Sequence, residues 1–272
     1  MRSRVLFEGQ IRPALGIFES DEVKLAPVAT PLFGGDFDEN LFTERVSTSK
    51  IEMICPLDVE KRPQIVCVGR NYAAHAKELG NDVPLVPKLF LKPYTTLCGP
   101  EDDILLPGHM STLVHHEGEI ALVIGKKLHG VTSENACDFI AGYTLANDVT
   151  ARDVQRADGA FSRGKGFATF CPLGPWVQPL PEESSWSSMW LETWVNGERR
   201  QRGDLRDMVF PIGELLAFIA QVFPLEPGDV VLTGTPEGVG PILAGDKVEV
   251  RAQGTPSLRN RVAHGPSFLP WR

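Results

Sequence analysis

The residues of this chain best suited to chemistry are acids. Glu117 and Glu119 stand two apart in His116-Glu117-Gly118-Glu119-Ile120-Ala121-Leu122-Val123-Ile124. Side chains alternate along a strand, so this spacing predicts both carboxylates on one face. The same face continues through Ala121 and Val123, which favour burial. Two acids on a face that becomes core are costly unless a cation neutralises them. The competing reading is a strand whose first half emerges into solvent. Asp148 tips the balance. It follows the apolar strand Ala141-Gly142-Tyr143-Thr144-Leu145-Ala146-Asn147 and precedes the helical run Thr150-Ala151-Arg152-Asp153-Val154-Gln155, a place where functional side chains are presented. Three carboxylates with open positions suit a hard divalent cation such as Mg²⁺, which keeps waters or substrate oxygens in its octahedron. Arg152 and Gln155 share a helix face beside it and are placed to hold an anionic substrate.

A second pair, His75 and Glu78, lies in Gly69-Arg70-Asn71-Tyr72-Ala73-Ala74-His75-Ala76-Lys77-Glu78. On a helix the two share one side, so the carboxylate can orient the imidazole as a general base. The pattern is common on surface helices and carries little alone. The Gly-rich phrase Leu232-Thr233-Gly234-Thr235-Pro236-Glu237-Gly238-Val239-Gly240 lacks the spacing of a dinucleotide site and the lysine of an ATP site. It leaves a loop whose N–H groups and Thr235 hydroxyl can receive a carboxylate. Lys165, among glycines in Arg163-Gly164-Lys165-Gly166-Phe167, reads by itself as a loop lysine. His115 reads as a local hydrogen-bonding residue, and Trp186, Trp190 and Trp194 as packing residues.

The elements that must position these side chains are mostly strands. Val5 to Phe7, Ala14 to Phe18 and Val23 to Leu25 are short strands separated by turns, followed by a loop-like stretch from Pro27 to Asn40. A Pro-bearing link around Pro56 to Pro63 leads into Gln64-Ile65-Val66-Cys67-Val68-Gly69, an apolar run that reads as a buried strand. Leu89 to Leu91, Glu117 to Ile124, Gly142 to Ala146, Thr193 to Val195, Val230 to Thr233 and Lys247 to Arg251 are further strands, and Asn196-Gly197 signals a hairpin. Helices are expected at Asn71 to Leu79, Thr150 to Ala157 and, after a well-placed proline, Pro211 to Val222. The architecture is α+β and mainly β, with a small N-terminal β domain over 1–56 and a catalytic domain over 57–272.

Composition excludes several classes. The 272 residues are 42% hydrophobic and 23% charged, with a net charge of −8, which rules out a disordered or fibrous chain and disfavours phosphate backbones. The one basic run, Glu198-Arg199-Arg200-Gln201-Arg202-Gly203-Asp204, is interleaved with acids and reads as a solvated strand face. The longest nearly apolar stretch, Leu215 to Phe223, is too short to span a bilayer. No nucleic acid, no membrane and a cytoplasmic location are the expectations. Five cysteines without C-x-x-C spacing read as reduced, mostly buried thiols.

Taken together the chain resembles the fumarylacetoacetate hydrolase family. The matching phrases are Val68-Gly69-Arg70-Asn71-Tyr72-Ala73-Ala74-His75, Phe90-Leu91-Lys92-Pro93, His116-Glu117-Gly118-Glu119, the segment Asp148 to Gln155, and Leu232 to Gly240. They occur in the family's order. The resemblance implies a mixed β-roll or barrel, usually a homodimer, with Mg²⁺ or Mn²⁺ held by Glu117, Glu119 and Asp148. It assigns Arg70, Arg152, Gln155 and Thr235 to substrate contact, Lys165 to oxyanion stabilisation and the His75–Glu78 pair to activation of water. One departure stands out: Ala168 follows Phe167 where the family often has Asp.

The implied enzyme acts on a small 2-oxo or diketo acid. Hydrolysis of an acylpyruvate to give pyruvate is the leading expectation, because the His75–Glu78 pair is intact. The same enolate chemistry would serve a 2-hydroxyhepta-2,4-diene-1,7-dioate isomerase or an oxaloacetate decarboxylase. A non-catalytic metal-dependent binding protein is the expectation of a different class.

Overall fold

The apolar alternation of the first fifty residues pairs into strands. β1 (Arg2–Phe7), β2 (Gln10–Gly16), β3 (Glu22–Leu25) and β4 (Glu44–Ser47) lie side by side, each antiparallel to the next. The structure is a computed structural model that describes residues 1–266 except 17–19, 29–30, 35–36, 182–185 and 187. Ile17 and Phe18, expected to end the second strand, and part of the stretch 27–40 therefore lie outside the described residues. The short β5 (Glu52–Met53) pairs back on β1. Val5, Ala14, Val23, Leu25 and Val46 form a buried cluster that Trp176 completes.

The apolar run before Arg70 is β6 (Ile65–Gly69), with β7 (Lys88–Lys92) as its antiparallel partner. There follow β8 (Leu97–Cys98), β9 (Asp103–Leu106), β10 (Val114–His116), β11 (Gly118–Ile124), β12 (Ile140–Asn147), β13 (Thr150–Ala151) and β14 (Cys171–Gln178). The last third adds β15 (Trp190–Val195), β16 (Glu198–Asp204), β17 (Val230–Leu232), β18 (Gly240–Pro241), β19 (Lys247–Ala252) and β20 (Leu258–His264). Asn196 and Gly197, both at positive φ (52° and 81°), turn β15 into β16 as the hairpin signal predicts. β14 escapes the sequence reading because its two prolines and glycine argue against a central strand.

One mixed sheet runs β4-β3-β2-β1-β14-β12-β11-β17-β6-β7, with β5 and β8 attached off that path. A second sheet has the order β16-β15-β19-β20-β9, and a small third one the order β13-β10-β18. Parallel pairs β17–β6, β14–β8 and β20–β9 make the first two mixed. Ile120, Leu122 and Leu145 of the large sheet share one buried cluster with Leu191, Val250 and Leu258 of the second. The mainly β, roll-like expectation holds, but the barrel does not: among the described residues the large sheet ends at β4 and β7 without joining them.

Helices are short and sit at strand ends. α1 (Ala73–Glu78) and α2 (Arg152–Asp158) start later than their spacing predicts. Tyr72 is spent in a bridge to Met208, and Thr150–Ala151 in β13. α3 (Ser162–Lys165) carries the lysine that the sequence placed in a loop, and α4 (Ile212–Val222) follows Pro211 as expected. No helix among the described residues is long and apolar enough to cross a membrane. None of the five cysteines is in a disulfide, and burial pushes the Cys55 and Cys171 thiols up to about 12, which leaves them unreactive.

Candidate active site

Glu117 falls where the chain changes sheets. β10 pairs with β13 and β18, whereas β11 pairs with β12 and β17. Between them, the Glu117 N–H donates to Asn147 Oδ1 at 2.8 Å and its carbonyl accepts from the Asp148 N–H at 2.8 Å. The expectation of one continuous strand is therefore corrected, while both acids do face the same cavity. The strand breaks at Glu117, between the small sheet and the large one. Gly118 is required at that break, because a Cβ there would collide with Thr193 Oγ1. The solvent-facing reading fails too: Glu117, Glu119 and Asp148 are all buried.

One carboxylate oxygen from each of these three acids lies within 4.8 Å of the others. Three cations answer two of these acids. Arg152 Nη2 donates to Glu117, Lys165 Nζ donates to both Glu117 (2.6 Å) and Asp148, and Lys92 Nζ donates to Asp148 at 2.7 Å. Glu119 instead accepts the Gly234 N–H at 2.7 Å. The electrostatics follow from this layout. Burial alone would raise the Glu117 carboxyl, but Arg152 and Lys165 override it and hold it well below the usual range. Burial and the neighbouring Asp148 and Glu117 carboxylates push Glu119 the other way. Burial would lower Lys165, yet Asp148 and Glu117 raise it above its ordinary value.

His75 and Glu78 face each other across one turn of α1, with Nδ1 and Oε2 3.3 Å apart. The other oxygen, Oε1, accepts the Gly238 N–H at 2.9 Å, which ties the pair to the glycine-rich loop. Burial lowers the His75 pKa and outweighs the opposing pull of Glu117. On α2, Arg152 Nη1 donates to Gln155 Oε1 at 2.9 Å, so the shared face exists. Thr235 is more occupied than expected: its hydroxyl donates to the Gly118 carbonyl at 2.8 Å and accepts from Gln201 Nε2 at 2.7 Å. Arg70 stands at φ 61°, a left-handed backbone that costs a side-chain-bearing residue roughly 1–3 kcal/mol.

The structure brings all ten sequence-derived candidates together. Arg70, His75, Glu78, Glu117, Glu119, Asp148, Arg152, Gln155, Lys165 and Thr235 line one cavity of about 420 Å³. Ala168 is exposed, and Lys165 holds its carboxylates without it. Sequence reasoning missed three residues. Lys92 is fully buried behind Asp148; the sequence marks it as a lysine ending an apolar strand, inside the family phrase Phe90-Leu91-Lys92-Pro93, without giving it a role. Asn71 donates Nδ2 to the Thr233 carbonyl at 2.8 Å and accepts the Phe210 N–H at 2.9 Å, fixing the entry to α1. Gln201 is buried, like Gly203, within the otherwise exposed run of β16; it accepts the Gly118 N–H at 3.0 Å and meets His116 Nδ1 at 3.1 Å.

Residues 64–263 match the family described as Fumarylacetoacetate (FAA) hydrolase C-terminal. The chain belongs to the fumarylacetoacetate hydrolase family. An oxaloacetate tautomerase of Escherichia coli is 42% identical over 203 residues, 73% of this chain and 92% of that protein. A solved 5-carboxymethyl-2-hydroxymuconate delta-isomerase from Mycobacterium smegmatis has a TM-score of 0.84 and 38% identity, covering 98% of this chain and 100% of that one. A 2-hydroxyhepta-2,4-diene-1,7-dioate isomerase from Mycobacterium marinum has a TM-score of 0.83 and 33% identity, covering 97% and 98%. Enzymes of the fumarylacetoacetate hydrolase family generally use a divalent metal. The donor set of this member suits one: three buried carboxylates, all hard oxygen ligands, converge at the wall of the cavity and would hold it.

Proposed function

We propose that this chain is a divalent-cation-dependent enzyme that moves a proton between the enol and keto forms of a small 2-oxo acid. The observation that carries the reading is a neutral base and a carboxylate triad in one cavity: His75 and Glu78 line the same 420 Å³ as Glu117, Glu119 and Asp148. Glu117, Glu119 and Asp148 would hold Mg²⁺ or Mn²⁺, which supplies Lewis-acid stabilisation of an enolate oxygen when bound. Burial keeps the His75 imidazole neutral near pH 7. Glu78 accepts from Nδ1–H, which leaves the Nε2 lone pair to take the substrate proton and return it. Arg152 and Gln155 orient the acid, and Lys165 stabilises negative charge on its oxygen. The tautomerase and isomerase relatives support this reading, since both names describe a proton shift without net bond cleavage.

Hydrolysis of an acylpyruvate is the second reading, and the intact His75–Glu78 pair favours it, because the same base can activate a water. One comparison tests both: enol-oxaloacetate, 2-hydroxyhepta-2,4-diene-1,7-dioate and acetylpyruvate, each with Mg²⁺ or with EDTA. Loss of the enol absorbance that EDTA abolishes is the expected result. Pyruvate and acetate from acetylpyruvate would make the enzyme a C–C hydrolase, and CO₂ and pyruvate from oxaloacetate a decarboxylase. Cation binding without turnover of any substrate would leave a binding protein.

A further inference from the structure

Gln201 is a buried amide in the run Arg199-Arg200-Gln201-Arg202, whose three arginines are all exposed. A side-chain amide has two donors and two acceptor lone pairs, and here all four are used. Oε1 accepts the Gly118 N–H at 3.0 Å and meets His116 Nδ1 at 3.1 Å. Nε2 donates to Thr235 Oγ1 at 2.7 Å and to the Pro236 carbonyl at 2.8 Å. The Gly118 N–H and the Pro236 carbonyl fix which end of the amide is which.

These contacts converge on the chain between two of the acids. The Gly118 N–H belongs to the peptide unit that joins it to Glu117, and the Gly118 carbonyl to the unit that joins it to Glu119. Gln201 holds the first unit directly. The Thr235 hydroxyl holds the second, donating to the Gly118 carbonyl at 2.8 Å while it accepts from Gln201. Gln201, Gly118 and Thr235 thus close a ring of hydrogen bonds. The two sheets approach closely around it. Thr193, the cross-strand partner of Gln201, is fully buried against Gly118, and a Cβ on Gly203 would stand 2.6 Å from Pro236.

We infer that Gln201 is a positioning residue for the Glu117 and Glu119 carboxylates: from the second sheet it sets both peptide planes that lie between them. The inference deepens the function proposed above, in which those carboxylates hold a divalent cation, and rests on it. Mg²⁺ demands near-ideal octahedral geometry, so a ligand pair on rotated peptide planes would bind it less tightly. Outer groups that orient ligands in this way are worth about 10–100-fold in metal affinity.

The test is calorimetric titration of the full-length protein with Mg²⁺ in the absence of substrate. Gln201→Met keeps the length of the side chain and loses its four hydrogen bonds, and should weaken Mg²⁺ binding about tenfold or more. Thr235→Val opens the same ring from its other side and should also weaken it, which keeps the test decisive if Gln201→Met does not fold. The double variant should lose little more than Gln201→Met alone, because one ring is broken once. Asn260 is the control, a buried amide of the same sheet that bridges the Gly99 and Asp102 carbonyls. Asn260→Leu should lower Tm and leave Mg²⁺ affinity unchanged. A Gln201→Met protein that loses Tm but binds Mg²⁺ as the wild type does would overturn the inference, as would fully additive losses in the double variant. Wild-type protein that binds Mg²⁺ and turns over none of the three substrates would overturn the proposed function instead, and the affinities would still decide the role of Gln201. Wild-type protein that binds no Mg²⁺ would overturn both.

Discussion

Glu117, Glu119 and Asp148 balance Lys92, Arg152 and Lys165 in number, and all six are buried. Removing one partner of such a network strands a charge away from water, at about 3–5 kcal/mol. Lys92→Met should therefore lower metal-free stability by about 3 kcal/mol, and Mg²⁺ should restore more of it than in the wild type. Thermal unfolding in EDTA and in Mg²⁺ checks this; an equal cation response in both proteins would contradict it. His75 gives a second expectation at this scale. The proposed base works only when neutral, so activity is present above its folded pKa and falls as pH drops through it. Burial lowers that pKa, so the acid limb of kcat should lie below the ordinary histidine value of about 6.5. His75→Gln should lower kcat about 100-fold or more while Mg²⁺ binding, read by calorimetry, persists. The acids were legible because carboxylates inside an apolar run demand a cation. Lys92 was not, since a lysine at the end of a strand reads as solvated until the fold shows what covers it.

Short connections between elements do most of the positioning. The loop after β17 gives its Gly234 N–H to Glu119 and its Gly238 N–H to Glu78, so it touches both the carboxylate triad and the proposed base. Gly238 is at φ 93°, and a Cβ there would collide with the Arg200 carbonyl of β16. Gly238→Ala should therefore displace the loop, free Glu78 and reduce kcat about tenfold or more. Circular dichroism should show the strands retained; unchanged kcat would mean that the Glu78 contact is dispensable. The sequence argued against a nucleotide at this loop. It could not show that its N–H groups are spent on the protein's own acids, because those partners lie more than a hundred residues away. Glu117 shows the same limit. Period-two alternation reads a strand correctly but is blind to a change of sheet within it.

At the scale of the whole molecule, the candidate site lies wholly in the matched region, and the N-terminal strands join from outside it. Arg2 pairs with Val177, so β1 extends the large sheet from β14. Alternation along β14 separates two cores. Cys171, Leu173 and Val177 face one cluster, with Ala121 and Ala146 of the strands that lead to the carboxylates. Trp176, of opposite parity, faces Val5, Ala14 and Val23. Pairings such as β17 on β6, parallel across more than 160 residues, carry no local signal, which is why strands were readable while the order of the sheet was not. The two-faced β14 makes a prediction. Trp176→Ala should remove about 3 kcal/mol of stability by emptying the N-terminal cluster. It should leave the rise in Tm on adding Mg²⁺ unchanged, because no candidate ligand packs on that face. A lost cation response would show instead that the N-terminal strands brace the carboxylates through β14, and that the site extends mechanically into the first fifty residues.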